Sequence, residues 1–481
     1  MNIPAPEIEM TTPVIGLLVQ GGPPDIDHVL LLLKKKIPVV VIQGSGCAAD
    51  LVAFAHQEMQ QRTDVEYLDN YIKPELMRRV SEAFPEDFVN NDIARNQCRD
   101  KIIECVKCAR QEELTFLTIL NTLRHEVRLC DLSKYLLKAL FQSQSRTHTG
   151  RQWREQLQWD LQLTLDWNRP DLARSEIFHR YNLSKFKVED HVFHLALMRP
   201  DREAFVELFL EHGMVVHSYL NHKRLSNLFE NAADRDFFVG VCLEGVLGKN
   251  ASSRNPVCHN FVDDVNCELN RLLHKCTGLQ RLVNPYELSM NSLGSYVTDR
   301  AVAERRAINT LVFWAVLTNR QELAKVLWKR TEDPMAMALI VSMLLHNLGS
   351  KWCRDIDMKT RTCETAVEFG KLAVSMLRLS YKESSAFAFA ALSKQLEDFN
   401  NRSVVELAKF GRNKYFLAHH CCQKWLSQRW LGHINIRELD WGLFSLPDWV
   451  KIYLSVFLVF PMFIFITFSA SPDLQRADLT E

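Results

Sequence analysis

Apolar positions along this chain follow two periods, and the change comes near residue 130. Val14-Ile15-Gly16-Leu17-Leu18-Val19 is a short, nearly all-apolar run that ends in Gly21-Gly22-Pro23. A helical stretch follows from Asp25 to Lys36, then Pro38-Val39-Val40-Val41-Ile42, Gly44-Ser45-Gly46 and a second helical stretch from Cys47 to Gln60. Strand, glycine turn and helix, given twice, is the βα alternation of a parallel sheet covered on both faces. Leu114–Leu120 predicts a third strand, and the charged, helix-periodic stretch from Asp64 to Arg110 reads as an insertion.

Beyond residue 131 the helical period takes over. Leu161–Phe178, Leu195–His212 and Phe313–Trp328 share one order: apolar helix, polar corner, apolar helix. Their corners are Asn168-Arg169-Pro170-Asp171, Arg199-Pro200-Asp201 and Asn319-Arg320-Gln321-Glu322. The first two units are spaced by 32 residues, measured at Leu172 and Ala204, a period typical of helical hairpins. Such hairpins bury their faces only by stacking, which predicts an α-solenoid. Lys249–Asn260 and Asn284–Thr298 are rich in Ser, Asn, Gly and Pro and read as loops.

The last pattern is different again. After Leu446-Pro447-Asp448-Trp449-Val450-Lys451, the 17 residues from Ile452 to Phe468 carry no charge. Extended by three small residues, they would rise roughly 26–30 Å as a helix, near the thickness of a hydrocarbon core. Pro461 stands at the centre, where it removes a backbone hydrogen bond and kinks a helix. Trp449 and Tyr453 at the near edge suit a membrane interface. Three readings fit: a span, an interfacial or partly inserted helix, and a buried core helix. Trp449, Ile452, Phe460, Pro461 and Phe468 mark the segment. Lys424, Arg429, Arg437 and Lys451 precede it and only Arg476 follows, which places the large preceding part in the cytoplasm. One segment encloses no pore, so the chain reads as an incomplete membrane machine.

Composition narrows the classes. At 47% apolar residues the 481-residue chain has ample material for large cores. With 58 basic against 58 acidic residues, no overall field favours nucleic acid. No signal peptide opens the chain, and its 13 cysteines, an odd number without a framework, read as reduced thiols.

Chemistry is sparse. Gly44-Ser45-Gly46-Cys47-Ala48-Ala49 has the G-x-G-x-x-A form between a strand and a helix, where glycines let backbone N–H groups approach a phosphate. Asp64 or Glu66 stands near the distance of a ribose partner. Parallel sheets use glycine turns in any case, so Gly44, Ser45 and Gly46 are weak candidates for nucleotide phosphate beside a purely structural reading. No general base or nucleophile accompanies the loop, which argues against an enzyme. Cys105-Val106-Lys107-Cys108 with Cys98 lacks a second ligand pair. Cys258, His259, Cys267, His274 and Cys276 converge only if the fold brings them together. His419-His420-Cys421-Cys422 would point to different sides of a helix, so the sequence predicts no metal site.

These pieces together resemble the cytoplasmic N-terminal region of melastatin-type transient receptor potential (TRPM) cation channels. The first part is similar to that family's SLOG-like domain through Thr12–Pro23 and Ile37–Asp50. Ala315–Ala324, Phe399–Phe416 and Trp425–Gly432 carry the resemblance onward. The resemblance implies an α/β fold, a partial parallel sheet of SLOG or Rossmann-like type in residues 1–130. A large all-α helical-repeat solenoid, ankyrin-like, follows in 131–445, and then one C-terminal apolar helix in 446–471. It implies that the C-terminal segment precedes the first channel helix at the inner membrane face, which favours the interfacial reading. It also implies that the start of the sheet domain, the six channel helices, the pore loop and the coiled coil lie outside this sequence.

On the same grounds the implied function is regulatory and assembly portion of a calcium-permeable cation channel. Its partners would be the membrane and full-length TRPM-like subunits in a tetramer, and its location a plasma or intracellular membrane. Some family members bind ADP-ribose in the sheet domain, so that nucleotide is the one cofactor to consider here, and none is otherwise expected. The competing classes are a membrane-tethered helical-repeat scaffold and a nucleotide-sensing module.

Overall fold

Four β-branched residues between Pro38 and Gly44 make the structural centre of the first half of the chain. The computed structural model describes residues 14–61, 67–88, 91–111, 114–122, 131–143, 151–179, 187–248, 265–280, 282–283, 300–431, 434–436, 447–458 and 466–468. They fall into two compact units, Met1–Met214 and Val215–Glu481.

In the first unit, β1 (Gly16–Leu18), β2 (Val39–Gln43) and β3 (Leu117–Asn121) form a parallel sheet of order β1-β2-β3, with Gly16 opposite Val39 and Val39 opposite Leu117. Successive strand residues face opposite sides. Val39, Val41 and Leu117 therefore enter one core with α1 (Pro23–Lys34), α2 (Cys47–Gln61), α3 (Lys73–Ala83) and α4 (Asp92–Cys108). Val40, Ile42 and Leu120 enter a second core under α5 (Leu132–Ser143), which contributes Ala139. The expected βα alternation and parallel sheet are present. The stretch that reads as an insertion is instead part of a layer: Ile102, Cys105 and Val106 of α4 are core residues, and Cys105 Sγ lies 3.8 Å from the Ile26 carbonyl. Helix α5, the first of the helices beyond residue 130, covers the sheet.

Next come α6 (Arg151–Asp166) with a second helix that opens at Pro170–Leu172 and widens into a π-helical turn over Ala173–Phe178, and then α7 (Asp190–Met198) with α8 (Glu203–Glu211). These are the first two expected hairpins, and they stack. Arg202 Nε donates to the Leu165 carbonyl at 2.7 Å, Arg174 pairs with Glu211 at 2.9 Å, and Arg199 pairs with Asp166. Phe193, Phe205 and Phe209 fill the interior. The corners explain the repeated Asn-Arg. Asn168 takes φ +53° and the Arg169 N–H reaches back to the Thr164 carbonyl at 2.9 Å. Asn319 takes φ +59° and the Arg320 N–H reaches the Ala315 carbonyl at 2.8 Å. Asparagine tolerates the left-handed conformation that closes a helix this way.

The second unit is all helix at its core. In chain order it contains α9 (Val216–Tyr219), α10 (His222–Glu230), α11 (Arg300–Leu317), α12 (Gln321–Trp328), α13 (Pro334–Asn347) and α14 (Ile356–Glu383). After these come α15 (Ser385–Ser393), α16 (His420–Leu431) and α17 (Asp448–Phe457). Helices α11 and α12 are the third expected hairpin. α11 is buried from Ala307 to Leu317, and its Trp314 indole donates to the Leu228 carbonyl at 3.0 Å. Glu304 accepts from the backbone N–H groups of Val216 and His217 and from the His217 ring, each at 2.8 Å, so one carboxylate anchors the start of α9. Asp398 takes Arg305 Nε at 2.6 Å and Arg306 Nε at 2.8 Å.

The continuous C-terminal helix is not what forms. Helix α17 stops at Phe457, with Leu458 already extended, and its ten residues measure about 15 Å. Ile466–Phe468 is a strand paired antiparallel with Ile434–Ile436. Among the described residues no helix is long and apolar enough to cross a membrane. Phe460 and Pro461 lie outside the described residues. In the described part of the segment, Ile466 and Thr467 are β-branched and suit the strand they form.

The Asp398 carboxylate is only 9% exposed, so removing it takes one shared acceptor from two largely buried guanidinium groups. Asp398→Ala is expected to destabilise the chain by about 1–3 kcal/mol. Glu332→Gln, at the exposed end of the same network, should change stability by under about 1 kcal/mol. Urea unfolding of both variants checks the ratio.

Candidate functional site

The strand β2 ends at Gln43 and α2 starts at Cys47, so the chain must reverse direction within a few residues. It does so with Gly44 at φ +95°, Gly46 at φ +100° and Cys47 at φ +52°. A Cβ added at Gly46 would meet nothing within 4 Å, so glycine there answers the backbone conformation rather than a close neighbour.

Both glycine N–H groups of this turn are already engaged. The Asp50 carboxylate accepts from Gly44 N at 2.6 Å and from Gly46 N at 3.1 Å. The Ser45 hydroxyl donates to the Ile42 carbonyl at 2.7 Å and accepts from Gln20 N at 2.9 Å. At the start of α2, Ala48 N and Ala49 N donate to the carbonyls of Gly21 and Gln20 at 3.2 and 2.9 Å. The turn after β1 repeats the device: Asp25 Oδ2 accepts from Gly22 N at 2.8 Å. A carboxylate at a helix N-terminus meets the same partial positive charge that a phosphate would. Asp50 thus occupies, from within the chain, the acceptor position that the glycine motif would offer to a ligand. The signal was readable as an acidic residue in the first turn of each helix. Asp64 and Glu66 lie outside the described residues.

Beside the turn is a cavity of about 290 Å³ at the C-terminal ends of β2 and β3, where parallel sheets commonly take ligands. Gln43, Asn121, Gln57 and Gln60 line it with amides, Tyr135 of α5 closes one side, and His56 Nε2 lies 3.2 Å from Gln60 Nε2. Burial lowers the His56 pKa, which favours the neutral ring. Among the described residues no Lys or Arg lines this cavity. The walls that these residues make offer neutral hydrogen-bonding groups. Sequence reasoning missed it because its polar residues come from four separate elements.

Seven of the described thiols are buried. Burial pushes Cys98 up to about 11 and Cys105, Cys276 and Cys422 up to about 12. Such groups stay protonated near neutrality, whereas metal ligation and nucleophilic attack need the thiolate. Cys105 is buried and Cys108 half-buried on α4, and Cys267 is exposed while Cys276 is buried. Cys258 and His259 lie outside the described residues. Cys421 and Cys422 are both buried. Among the described residues no group of three or more His, Cys, Asp or Glu side chains could hold a metal ion. Of the C-terminal residues, Trp449 is 71% exposed and Ile452 lies on the same helix, with Phe468 separate from them in a strand.

Comparison with known proteins accounts for both halves of this arrangement. The family model described as SLOG in TRPM matches residues 3–105, which include β1, β2 and the glycine turns. The model described as a TRPM2-like domain matches residues 176–419. A TRPM member-like 2 channel of Nematostella vectensis is 27% identical over 490 residues, covering 96% of this chain and 29% of its own length. Human TRPM member 7 is 23% identical over 538 residues, covering 96% of this chain and 27% of its own. The trpm cation channel of Drosophila melanogaster is 27% identical over 470 residues, with coverages of 90% and 22%. This chain therefore spans under a third of the length of each of these relatives. With one family model matching just over half of its residues and a second matching residues 3–105, the chain belongs to the TRPM family.

Proposed function

We propose that this chain is the cytoplasmic regulatory and assembly body of a TRPM-type, calcium-permeable cation channel, and that it does not itself conduct. The observation that carries the reading is co-linearity: two channel-associated domain types occur in order, and channel relatives match 96% of the chain. The chain would act by joining channel subunits through its helical units and by sitting against the membrane through residues 446–471. No enzymatic step is needed, and the residues of the glycine turn bear none.

The same proposal treats Gly44, Ser45 and Gly46 as structural. Their support is the Asp50 carboxylate, which takes both glycine N–H groups, and the neutral side chains of the described residues that line the adjoining cavity. A nucleotide would have to displace Asp50 and pay for the loss of two charge-assisted hydrogen bonds.

Two measurements check these statements. Expressed alone in a cell without related channels, the chain is expected to add no cation current in whole-cell recording. A current that scales with its expression and shifts on mutating this chain would sink the non-conducting reading. For the glycine turn, Asp50→Ala should lower stability by about 1–2 kcal/mol. Millimolar ADP-ribose or ATP should move the melting temperature of the unaltered chain by less than about 1 °C. A rise of several degrees that disappears on Ser45→Val or Gly46→Val would instead make the turn a nucleotide site.

A further inference from the structure

The long helix α14 presents one exposed face that changes character halfway along. At about 100° per residue, Ile356, Thr360, Val367, Lys371, Arg378 and Lys382 fall on one side of it. Phe369, Ala373 and Leu377 occupy the other side and are buried. Over the first turns the exposed face lines a groove of about 710 Å³, with Ile356 77% and Val367 52% exposed. The charged residues of this groove, Lys359, Glu364, Glu368 and Lys371, are balanced in sign. From Lys371 onward the balance is lost, and the face becomes a row of cations.

A second stretch reinforces the row. Asn413 Nδ2 donates to the Gly370 carbonyl at 3.5 Å, and the rings of His420 and Tyr381 lie 6.0 Å apart. Residues 413–420 therefore run alongside the second half of α14. Burial, with His420 and Arg378, lowers the His419 pKa, which sets Arg378 beside the same stretch. Residues 369–382 and 407–431 together hold eight Lys and Arg and no Asp or Glu, in a chain balanced at 58 and 58. Among the described residues none of the eight makes an ion pair, whereas Arg305, Arg306, Lys325 and Lys394 of the same unit are all paired. Like charges gathered on one side repel one another, and an acidic partner removes that repulsion.

We propose that this face of α14 docks an amphipathic segment of another protein, apolar where it meets Ile356 and Val367 and acidic where it meets Lys371, Arg378 and Lys382. A helix laid along the face takes both halves at once, its apolar anchors in the groove and its carboxylates on the row. The two halves sit end to end on one helix, which favours a protein segment over a nucleic acid. Phosphates gain nothing from Ile356 and Val367, and stacked bases need flat rings where the groove offers aliphatic side chains. Tyr415, 80% exposed beside Lys414, adds apolar surface near the basic half. A second copy of α14 does not match the face. Antiparallel pairing would set the basic row on the apolar groove, and parallel pairing would set it on itself.

The probe is a fluorescein-labelled helical peptide of about 25 residues, with leucines three and four apart in one half and glutamates in the other, made in both orders. Fluorescence anisotropy against the purified full chain is expected to show micromolar binding of one order, weakened by high salt. A scrambled peptide of the same composition should bind at least about tenfold more weakly. Lys371→Glu combined with Arg378→Glu should weaken the parent peptide at least about tenfold, and a peptide with lysines for glutamates should prefer this variant to the unaltered chain. Ile356→Ser combined with Val367→Ser should also weaken binding, with the salt dependence kept. Lys35→Glu combined with Lys107→Glu makes the same charge change on the first unit and should leave binding within about twofold. Circular dichroism and melting check that each variant is folded, and Lys382→Glu alone serves if the double reversal is not. The proposal is overturned if neither peptide order binds below about 100 µM, or if the scrambled peptide binds as well. It is equally overturned if heparin or oligouridylate binds more tightly than the peptide and ignores the Ile356 and Val367 substitutions. The same holds if sedimentation velocity shows self-association that the charge reversals abolish.

Discussion

Val39, Val40, Val41 and Ile42 are buried on both faces of one strand, so two helical layers must close over β2 before it is shielded from water. That single requirement orders the first unit. The layer on one side is built from α1, α2, α3 and α4, and the other side depends on α5. Helices can return to the same sheet face only through sharp strand-to-helix turns. Sharp turns need positive φ, and positive φ exposes backbone N–H groups that must find acceptors. Asp25 and Asp50 supply them. The glycine motif and its carboxylates are therefore one device, and both follow from the burial of β2.

Much of this was legible because strand and helix periods differ sharply. The alternation of short apolar runs with glycine turns predicted the parallel strands, and the Asn-Arg corners predicted hairpins whose closure depends on a left-handed asparagine. What stayed hidden depended on long-range packing. Residues 92–108 read as a charged insertion because much of α4 is polar, yet the few apolar positions Ile102, Ile103 and Val106 suffice to place it in the core. The cavity lined by Gln43, Asn121, His56 and Tyr135 was equally unreadable, since nothing in the linear order brings those residues together. The glycine motif itself was legible as a turn. Its closure by Asp50 was also available from the sequence, as an acidic residue in the first turn of α2.

The C-terminal run shows how counting charges misleads where periodicity informs. Ile452 to Phe468 is uncharged throughout, which is the condition for a membrane helix. Its first part keeps helical spacing and forms α17, whereas Ile466–Phe468 pairs as a strand with Ile434–Ile436. Hydrophobicity alone does not choose between helix and strand. Backbone preference and the availability of a partner do, and Ile434-Asn435-Ile436 is such a partner.

A soluble body can keep an apolar helix face exposed only at a cost, because roughly 25 cal/mol is forgone for each Å² left in water. The cost is acceptable where the exposed face is covered in the working assembly. In this chain the exposure on α17 is sorted by face: apolar side chains point outward while Lys451 and Ser455 point inward. Random surface exposure would mix the two kinds around the helix. Sorting of that kind has a direction, and the direction distinguishes α17 from the scattered exposed residues Phe387, Phe410 and Trp430 elsewhere in the same unit. A helix whose polar side is turned to the protein holds its apolar side at a fixed orientation, so whatever covers that face in an assembly would meet it in one orientation only.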